Sequence, residues 1–182
     1  MKNLDKQTKA FTMIELIFVI VVLGILAALA LPRLDRDLRQ EAKDNILSAI
    51  RYTQHLALND NKTNPFNSTW QSKLWNISFS NIDYNITSNG IPAVDPTNGK
   101  ALDSTGNPEV NLGKKYSVNS ISGCGNLIAF DHLGRPFTSL TSTNDYSDYM
   151  TSDCNITVNF SQSGITPLIF TIRKETGFVS GN

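Results

Sequence analysis

A single carboxylate stands inside the most apolar stretch of this chain. Glu15 lies in the run FTMIELIFVIVVLGILAALALP, which occupies residues 11–32 and holds no other charged side chain. A carboxylate in an apolar membrane helix costs about 3 kcal/mol on insertion scales, so such groups normally face a partner group or a polar cavity. Cleavage between Ala10 and Phe11 would leave the apolar run on the product and create a cationic amine four residues before Glu15.

The segment around Glu15 predicts a helix that enters a membrane. Residues 11–31 are long enough to cross a bilayer, since about 20 helical residues span the roughly 30 Å hydrocarbon layer. An ordinary signal peptide has a shorter apolar region followed by a small-residue cleavage site, whereas here the small residue, Ala10, precedes the apolar run. The alternative left open is an uncleaved single-pass anchor.

The chain then changes from an apolar to an amphipathic pattern. A four-residue ladder of apolar side chains continues past the membrane segment, at Leu34, Leu38, Ala42, Ile46 and Ile50. This spacing places them on one face of a helix, opposite a charged face. Pro32 lacks a backbone donor and predicts a bend between the two halves. We therefore expect one long, kinked helix over residues 11–58.

The remainder predicts a β-rich globular domain over residues 59–182. It is rich in Asn, Ser, Thr, Gly and Pro, with short β-compatible runs between turn signals. The predicted strands cover residues 74–80, 84–87, 116–121, 127–130, 156–160 and 168–173. A mostly antiparallel sheet packed on the amphipathic half of the helix would bury both apolar faces, which predicts an α+β fold. Residues 90–113 show little periodicity and are interpreted as a long surface loop.

The amino-terminal pattern resembles the type IV prepilin and pseudopilin family. The matching residues are a basic leader with Lys2, Lys6 and Lys9, then Ala10, Phe11, Thr12, Glu15 and Pro32. The resemblance implies a type IV pilin-like fold with a leader peptide over residues 1–10, a transmembrane and filament-core helix over 11–31 and its amphipathic continuation over 32–58. It also implies that a prepilin peptidase cuts after Ala10 and methylates the amine of Phe11. Thr12, Glu15 and Pro32 are the residues assigned to assembly.

The carboxy-terminal half is similar to the minor pseudopilins of the H type and to FimT-like minor pilins. The residues that carry this similarity are FDHLGRPF (residues 130–137), ITVNF (156–160) and LIFTIRKETGFVS (168–180). The resemblance implies a structural minor pseudopilin of a type II secretion system, not an enzyme, anchored by a single pass in the inner membrane with its C-terminal domain in the periplasm. The implied partners are other pilins in a filament, the prepilin peptidase, the inner-membrane assembly platform and, before assembly, the lipid bilayer.

The two cysteines, Cys124 and Cys154, both lie in the part predicted to be exported. Because that compartment is oxidising, we predict a disulfide between them, with two unpaired thiols as the alternative. Neither cysteine belongs to a C-x-x-C pair, and the two histidines show no metal-like spacing to them, so the pattern argues against zinc.

Two other function classes remain open. A FimT-like minor pilin involved in DNA uptake or pilus assembly would use Lys114, Lys115, Arg173 and Lys174 as its candidate DNA contacts. The exported domain carries ten acidic and eight basic residues, which is not the strongly basic field of a nucleic-acid-binding protein. A membrane-anchored periplasmic enzyme is the third reading, but the sequence has no nucleophile elbow and no metal-ligand spacing.

Two weaker patterns concern metal binding and modification. The polar stretch TSTNDYSDYMTSDC contains Asp145, Asp148 and Asp153, whose oxygen atoms are of the type that calcium prefers, although their spacing is not that of an EF-hand. No other cofactor is expected. Asn85 and Asn155 each follow an acid at minus two and precede Ile-Thr, which resembles the extended acceptor pattern of bacterial N-glycosylation.

Overall fold

A single long helix opens the structure and belongs to two compact units. The computed structural model describes residues 12–141 and 146–182, except for the side chains of residues 29–37. Helix α1 runs over Met13–Asn59, close to the predicted 11–58. The chain divides into two units after Asp37, and the second unit comprises Leu38–Asn182. The bend predicted at Pro32 concerns a position whose side chain lies outside the described residues.

The first unit presents an exposed apolar helix. Its large side chains from Met13 to Leu26 are exposed except for the half-buried Val22, with Met13 at 84% and Phe18 at 69%. Among the described residues, none of the helices reaches the combination of length and hydropathy required of a bilayer span.

In the second unit, the predicted amphipathic face of α1 is buried. Ala42, Ile46 and Ile50 are completely inaccessible, and Ala57 is nearly so. The four-residue spacing keeps these side chains on one side of the helix, which packs into the main hydrophobic core. The predicted stripe is confirmed at these positions.

The strands form two antiparallel sheets. They are β1 (Trp75–Ser80), β2 (Asp83–Ser88), β3 (Ile91–Pro92), β4 (Val118–Ser122), β5 (Leu127–Phe130), β6 (Pro136–Phe137), β7 (Cys154–Phe160), β8 (Leu168–Ile172) and β9 (Val179–Gly181). One sheet has the order β3-β2-β1-β5-β6 and the other β4-β7-β8-β9. Every pair of neighbouring strands is antiparallel. The predicted α+β fold is confirmed.

The six predicted strands are all present, with ends shifted by at most two residues, and three short strands escaped prediction. β3, β6 and β9 each contain only two or three residues. Runs this short show too little alternation of apolar and polar residues to be recognised in the sequence. They form strands because each pairs with the edge of a neighbouring strand. β9, for example, pairs with β8 through Ile172 opposite Val179.

The segment predicted as a surface loop is instead packed into the core at several positions. Within residues 90–113, Val110 and Leu112 are completely buried, and Ala93 and Leu102 are nearly so. Hydrogen bonds hold this segment against β2, since the amide of Ile86 donates to Leu102 O and that of Ala93 donates to Ile86 O. A short helix α2 (Leu112–Tyr116) ends the segment. This contribution to the core was not predicted, because the apolar residues of the segment are isolated and show no periodicity.

Candidate assembly site and surfaces of the globular unit

The residues assigned to assembly lie at the first turn of α1. Thr12 precedes the helix, and its Oγ1 accepts a hydrogen bond from the backbone N–H of Glu15 at 3.3 Å. Both side chains are exposed. Ala10 and Phe11 lie outside the described residues, as does the side chain of Pro32. Thr12 is thus the N-cap of α1, and the helix begins where the predicted cleavage would leave it.

The spacing of Thr12 and Glu15 is itself a recognisable helix-start signal. The pattern T-x-x-E is a capping box, in which a threonine caps the third helical N–H and a glutamate stands at that third position. Sequence reasoning attributed Glu15 to assembly and missed this local role. An N-cap of this kind contributes about 1 kcal/mol to helix stability.

The exposed apolar surface of the first unit offers a contact face for another helix. A Cβ placed on Gly24 would meet no other atom within 4 Å. Small residues such as Gly24 allow two helix backbones to approach closely in membrane packing. The face therefore has the composition that helix association in a lipid or filament core requires.

The disulfide predicted from the sequence is present. Cys124 and Cys154 are bonded, with their Cα atoms 5.6 Å apart, and the bond joins the short turn Cys124–Asn126 to the start of β7. Gly123 precedes this turn at a φ of +119°, and a Cβ there would overlap the carbonyl oxygen of Asn155. The bridge and the glycine together fix the turn before β5 against the four-stranded sheet.

A glutamine of α1 joins two turns of the globular unit. Gln54 Nε2 donates to Gly134 O in the β5–β6 turn and to Thr176 O in the β8–β9 turn, both at 2.9 Å. Gly177 lies against this junction at a φ of +64°, and a Cβ on it would lie 2.5 Å from Gly134 O and 2.8 Å from Gln54 Nε2. The helix and both sheets therefore meet at Gln54.

A buried aspartate organises the FDHLGRPF segment. Asp131 is completely inaccessible, and its carboxylate accepts hydrogen bonds from the amides of Leu133 and Arg135 at 2.9 Å. Arg135 also pairs with it through its guanidinium at 2.7 Å, and Tyr149 Oη donates to it at 2.8 Å. The guanidinium of Arg135 lies 4.5 Å from the ring centre of Tyr149. These contacts hold the FDHLGRPF segment in its conformation, so its polar residues have a structural role.

The two candidate calcium ligands that the structure describes already have partners in the fold. Asp148 accepts hydrogen bonds from Ser139 Oγ and the Thr141 amide. Asp153 pairs with Arg173 at 2.5 Å, and the Lys174 amide and this cation lower the pKa of Asp153. Asp145 lies outside the described residues. Over residues 12–141 and 146–182, no group of three or more metal-ligating side chains comes together.

The four candidate DNA contacts occupy opposite ends of the four-stranded sheet. Lys114 and Lys115 lie in α2, just before β4, whose Val118 pairs with Phe160 at one end of β7. Arg173 and Lys174 follow β8, whose Ile172 pairs with Cys154 at the other end of β7. Seven strand residues separate these ends by about 20 Å.

Three of these four cations also have acidic partners. Lys115 pairs with Glu109, Arg173 with Asp153 and Lys174 with Glu175. The arrangement therefore does not combine the four residues into one basic surface.

Both candidate glycosylation sites lie within strands. Asn85 is in the middle of β2, opposite Ser78, and its Oδ1 accepts a hydrogen bond from the Ser104 amide at 2.7 Å. Asn155 is exposed in β7, and its Oδ1 accepts from Thr171 Oγ1 at 2.8 Å. Both asparagine side chains therefore already accept hydrogen bonds within the fold.

Comparison with known proteins gives a match at the start of the chain. Residues 5–31 match a family model described as the prokaryotic N-terminal methylation motif. Such a motif is typical of type IV pilin-like and pseudopilin-like proteins. Proteins that carry it are structural subunits, processed by a prepilin peptidase and assembled with other pilins. No curated protein and no solved structure matches the chain.

Proposed function

We propose that this chain is a minor pseudopilin, a structural subunit of a type II secretion pseudopilus. The observation that carries the proposal is the methylation motif over residues 5–31. Within this motif Thr12 caps the start of α1, which continues beyond the motif. The resemblance of residues 130–137, 156–160 and 168–180 to H-type minor pseudopilins and FimT-like minor pilins supports a minor subunit, and the FimT-like minor pilin remains the alternative. Under this proposal the protein has no catalytic residues.

Processing removes residues 1–10 and leaves Phe11 as a methylated amino terminus. Methylation retains the positive charge of the amine. In the filament core, Glu15 of one subunit pairs with the Phe11 ammonium of its neighbour. The pairing converts a carboxylate that is costly in an apolar medium into a charge-assisted hydrogen bond, and it fixes the register between subunits.

Before assembly, the protein is held in the inner membrane by residues 11–31, with its globular unit in the periplasm. The Cys124–Cys154 disulfide supports this location, because structural disulfides persist in oxidising compartments such as the periplasm. Assembly then transfers the apolar face of α1 from lipid to the neighbouring helices.

Replacement of Glu15 tests this proposal. Glu15→Ala should leave the globular unit folded and exported, because the residue lies outside that unit, while co-purification with partner pilins falls sharply. Glu15→Gln retains the shape of the side chain and should show nearly the same loss. The matched control is Glu175→Ala, which removes an acid that is 79% exposed in the globular unit and should assemble normally. Normal incorporation of both Glu15 variants would refute the pairing.

Processing has a separate test. Replacement of Ala10 by leucine should block the cut, so the protein retains residues 1–10 and Phe11 stays unmethylated by intact-mass measurement. A product of wild-type mass would show that the cut does not require a small residue at position 10 and would contradict this expectation.

A further inference from the structure

A cavity of about 390 Å³ lies between the second half of α1 and residues 94–109. The side chains that matter for its chemistry are Asn45, Ser48 and Tyr52 of α1, Tyr84 of β2, and Asp95 and Glu109 of the packed segment. Tyr52 Oη donates to Val94 O at 2.9 Å and so ties the helix to this segment. The volume is at the lower end of the range for small-ligand sites, about 300–1,000 Å³.

Asp95 brings a buried negative charge to this cavity. The residue is only 7% exposed. Its carboxylate accepts hydrogen bonds from Thr97 N and Oγ1 at 2.8 and 2.6 Å and from Asn107 Nδ2 at 3.1 Å. Burial opposes ionisation, but these hydrogen bonds outweigh it and lower the pKa of Asp95. Within the described part of the chain, no cationic side chain pairs with this carboxylate.

A second acceptor in the wall also lacks a partner. Asn45 Oδ1 is buried and receives no hydrogen bond. A buried polar atom left unpaired costs about 1–3 kcal/mol, so a donor that entered the cavity would remove this penalty. Glu109, the other acid of the wall, is already paired with Lys115. Of the two acids in the cavity wall, Asp95 is therefore the one whose negative charge has no cationic partner among the described residues.

The two tyrosines give the cavity aromatic walls. Tyr84 is 4% exposed, and burial together with the negative charge of Asp95 raises the pKa of its phenol, which stays neutral. Aromatic faces attract cations and stack on planar groups. A guanidinium is planar and carries five donors in a fork, whereas an ammonium is a compact and strongly hydrated charge.

We propose that this cavity binds the guanidinium of an arginine side chain presented by a partner protein. The carboxylate of Asp95 receives the charge, Asn45 Oδ1 accepts a further N–H, and a tyrosine ring covers the planar face. The role is independent of the filament-core helix, since every residue involved belongs to the unit Leu38–Asn182. It assigns this face of the globular unit to partner recognition.

The test is a titration of the full-length protein in neutral maltoside micelles with N-acetyl-argininamide, followed by ¹H–¹⁵N NMR. We expect saturable shifts at residues of the cavity, and no saturation with the uncharged N-acetyl-norleucinamide. Asp95→Asn should weaken binding at least tenfold. Asp103→Asn is the matched control, because Asp103 makes the same hydrogen bonds to Thr105 but does not line the cavity. It should bind as the wild type does.

A second variant separates binding from folding. Ser48 is an exposed helix residue on the cavity wall, so Ser48→Trp fills the cavity without removing a hydrogen bond that holds residues 94–109. This variant should unfold at the wild-type temperature and lose the response to N-acetyl-argininamide. The proposal is overturned if the wild type shows no saturable shift, or if folded Ser48→Trp or Asp95→Asn protein binds the probe as tightly as the wild type.

Discussion

Gly177 is a position where one added methyl group should destabilise the globular unit strongly. In Gly177→Ala, the new Cβ lies 2.5 Å from Gly134 O and 2.8 Å from both Gln54 Nε2 and Phe130 Cε1. A left-handed φ costs an alanine about 1 kcal/mol. Relief of the overlap must also displace Gln54, whose two hydrogen bonds contribute about 1 kcal/mol each. We therefore expect the free energy of unfolding to fall by about 3 kcal/mol.

The matched control is Gly99→Ala. Gly99 has a similar φ of +70°, but a Cβ there would meet no atom within 4 Å. Gly99→Ala should lower the free energy of unfolding only by the cost of the left-handed φ, about 1 kcal/mol. Urea denaturation followed by tryptophan fluorescence measures both variants, because Trp70 and Trp75 are the two tryptophans of the chain and both lie in the globular unit.

A double-mutant cycle identifies the origin of the penalty. If Gly177→Ala acts by displacing Gln54, then its cost should be smaller in a Gln54→Ala background, since the hydrogen bonds are already absent there. Equal stability of the Gly177→Ala and Gly99→Ala variants would show that the close approach at Gly177 does not constrain the fold, and would refute this reasoning.

Three further changes probe other parts of the globular unit. Tyr149→Phe removes one hydrogen bond to the buried Asp131 carboxylate and should destabilise the protein by about 2 kcal/mol in urea denaturation, whereas Tyr146→Phe should change little. Replacement of both cysteines by serine opens a loop with a sequence separation of 30 and should cost about 4 kcal/mol by loop entropy, with an undiminished transition midpoint as the contrary result. The Lys62 ammonium and the Trp75 indole hold the pKa of Asp60 below its usual 3.8, so the stability they confer is present above that pH and lost as pH falls through the lowered pKa. Asp60→Asn should therefore show a smaller drop in melting temperature between about pH 5 and pH 2.5 than the wild type, and an equal drop would contradict the assignment.

Local patterns in the sequence determine the elements that could be predicted. The ladder through Ala42, Ile46 and Ile50 repeats at the helical period, so both the helix and its buried face follow from it. The disulfide was predictable because the chain contains only two cysteines. These features depend on residues near each other in the chain or on a single available pairing.

The remaining features depend on contacts between distant parts of the chain. Gln54 meets Gly134 and Thr176 only after helix and turns have come together, and nothing in the residues around Gln54 indicates that junction. Val110 and Leu112 are isolated apolar residues in a polar segment, so their burial follows from the space left beneath β2 and α1. The cavity beside Asp95 arises from the same packing and could not be anticipated.

The first turn of α1 has an electrostatic consequence for the processed chain. The N–H groups at the start of a helix act together as about half a positive charge. Under the proposed processing, cleavage before Phe11 would add a whole positive charge just ahead of the Thr12 cap, and two positive charges at one end destabilise the start of the helix. Glu15, in that first turn, offsets both. Its carboxylate would therefore stabilise the first turn of α1 in each processed subunit before that subunit meets a neighbour.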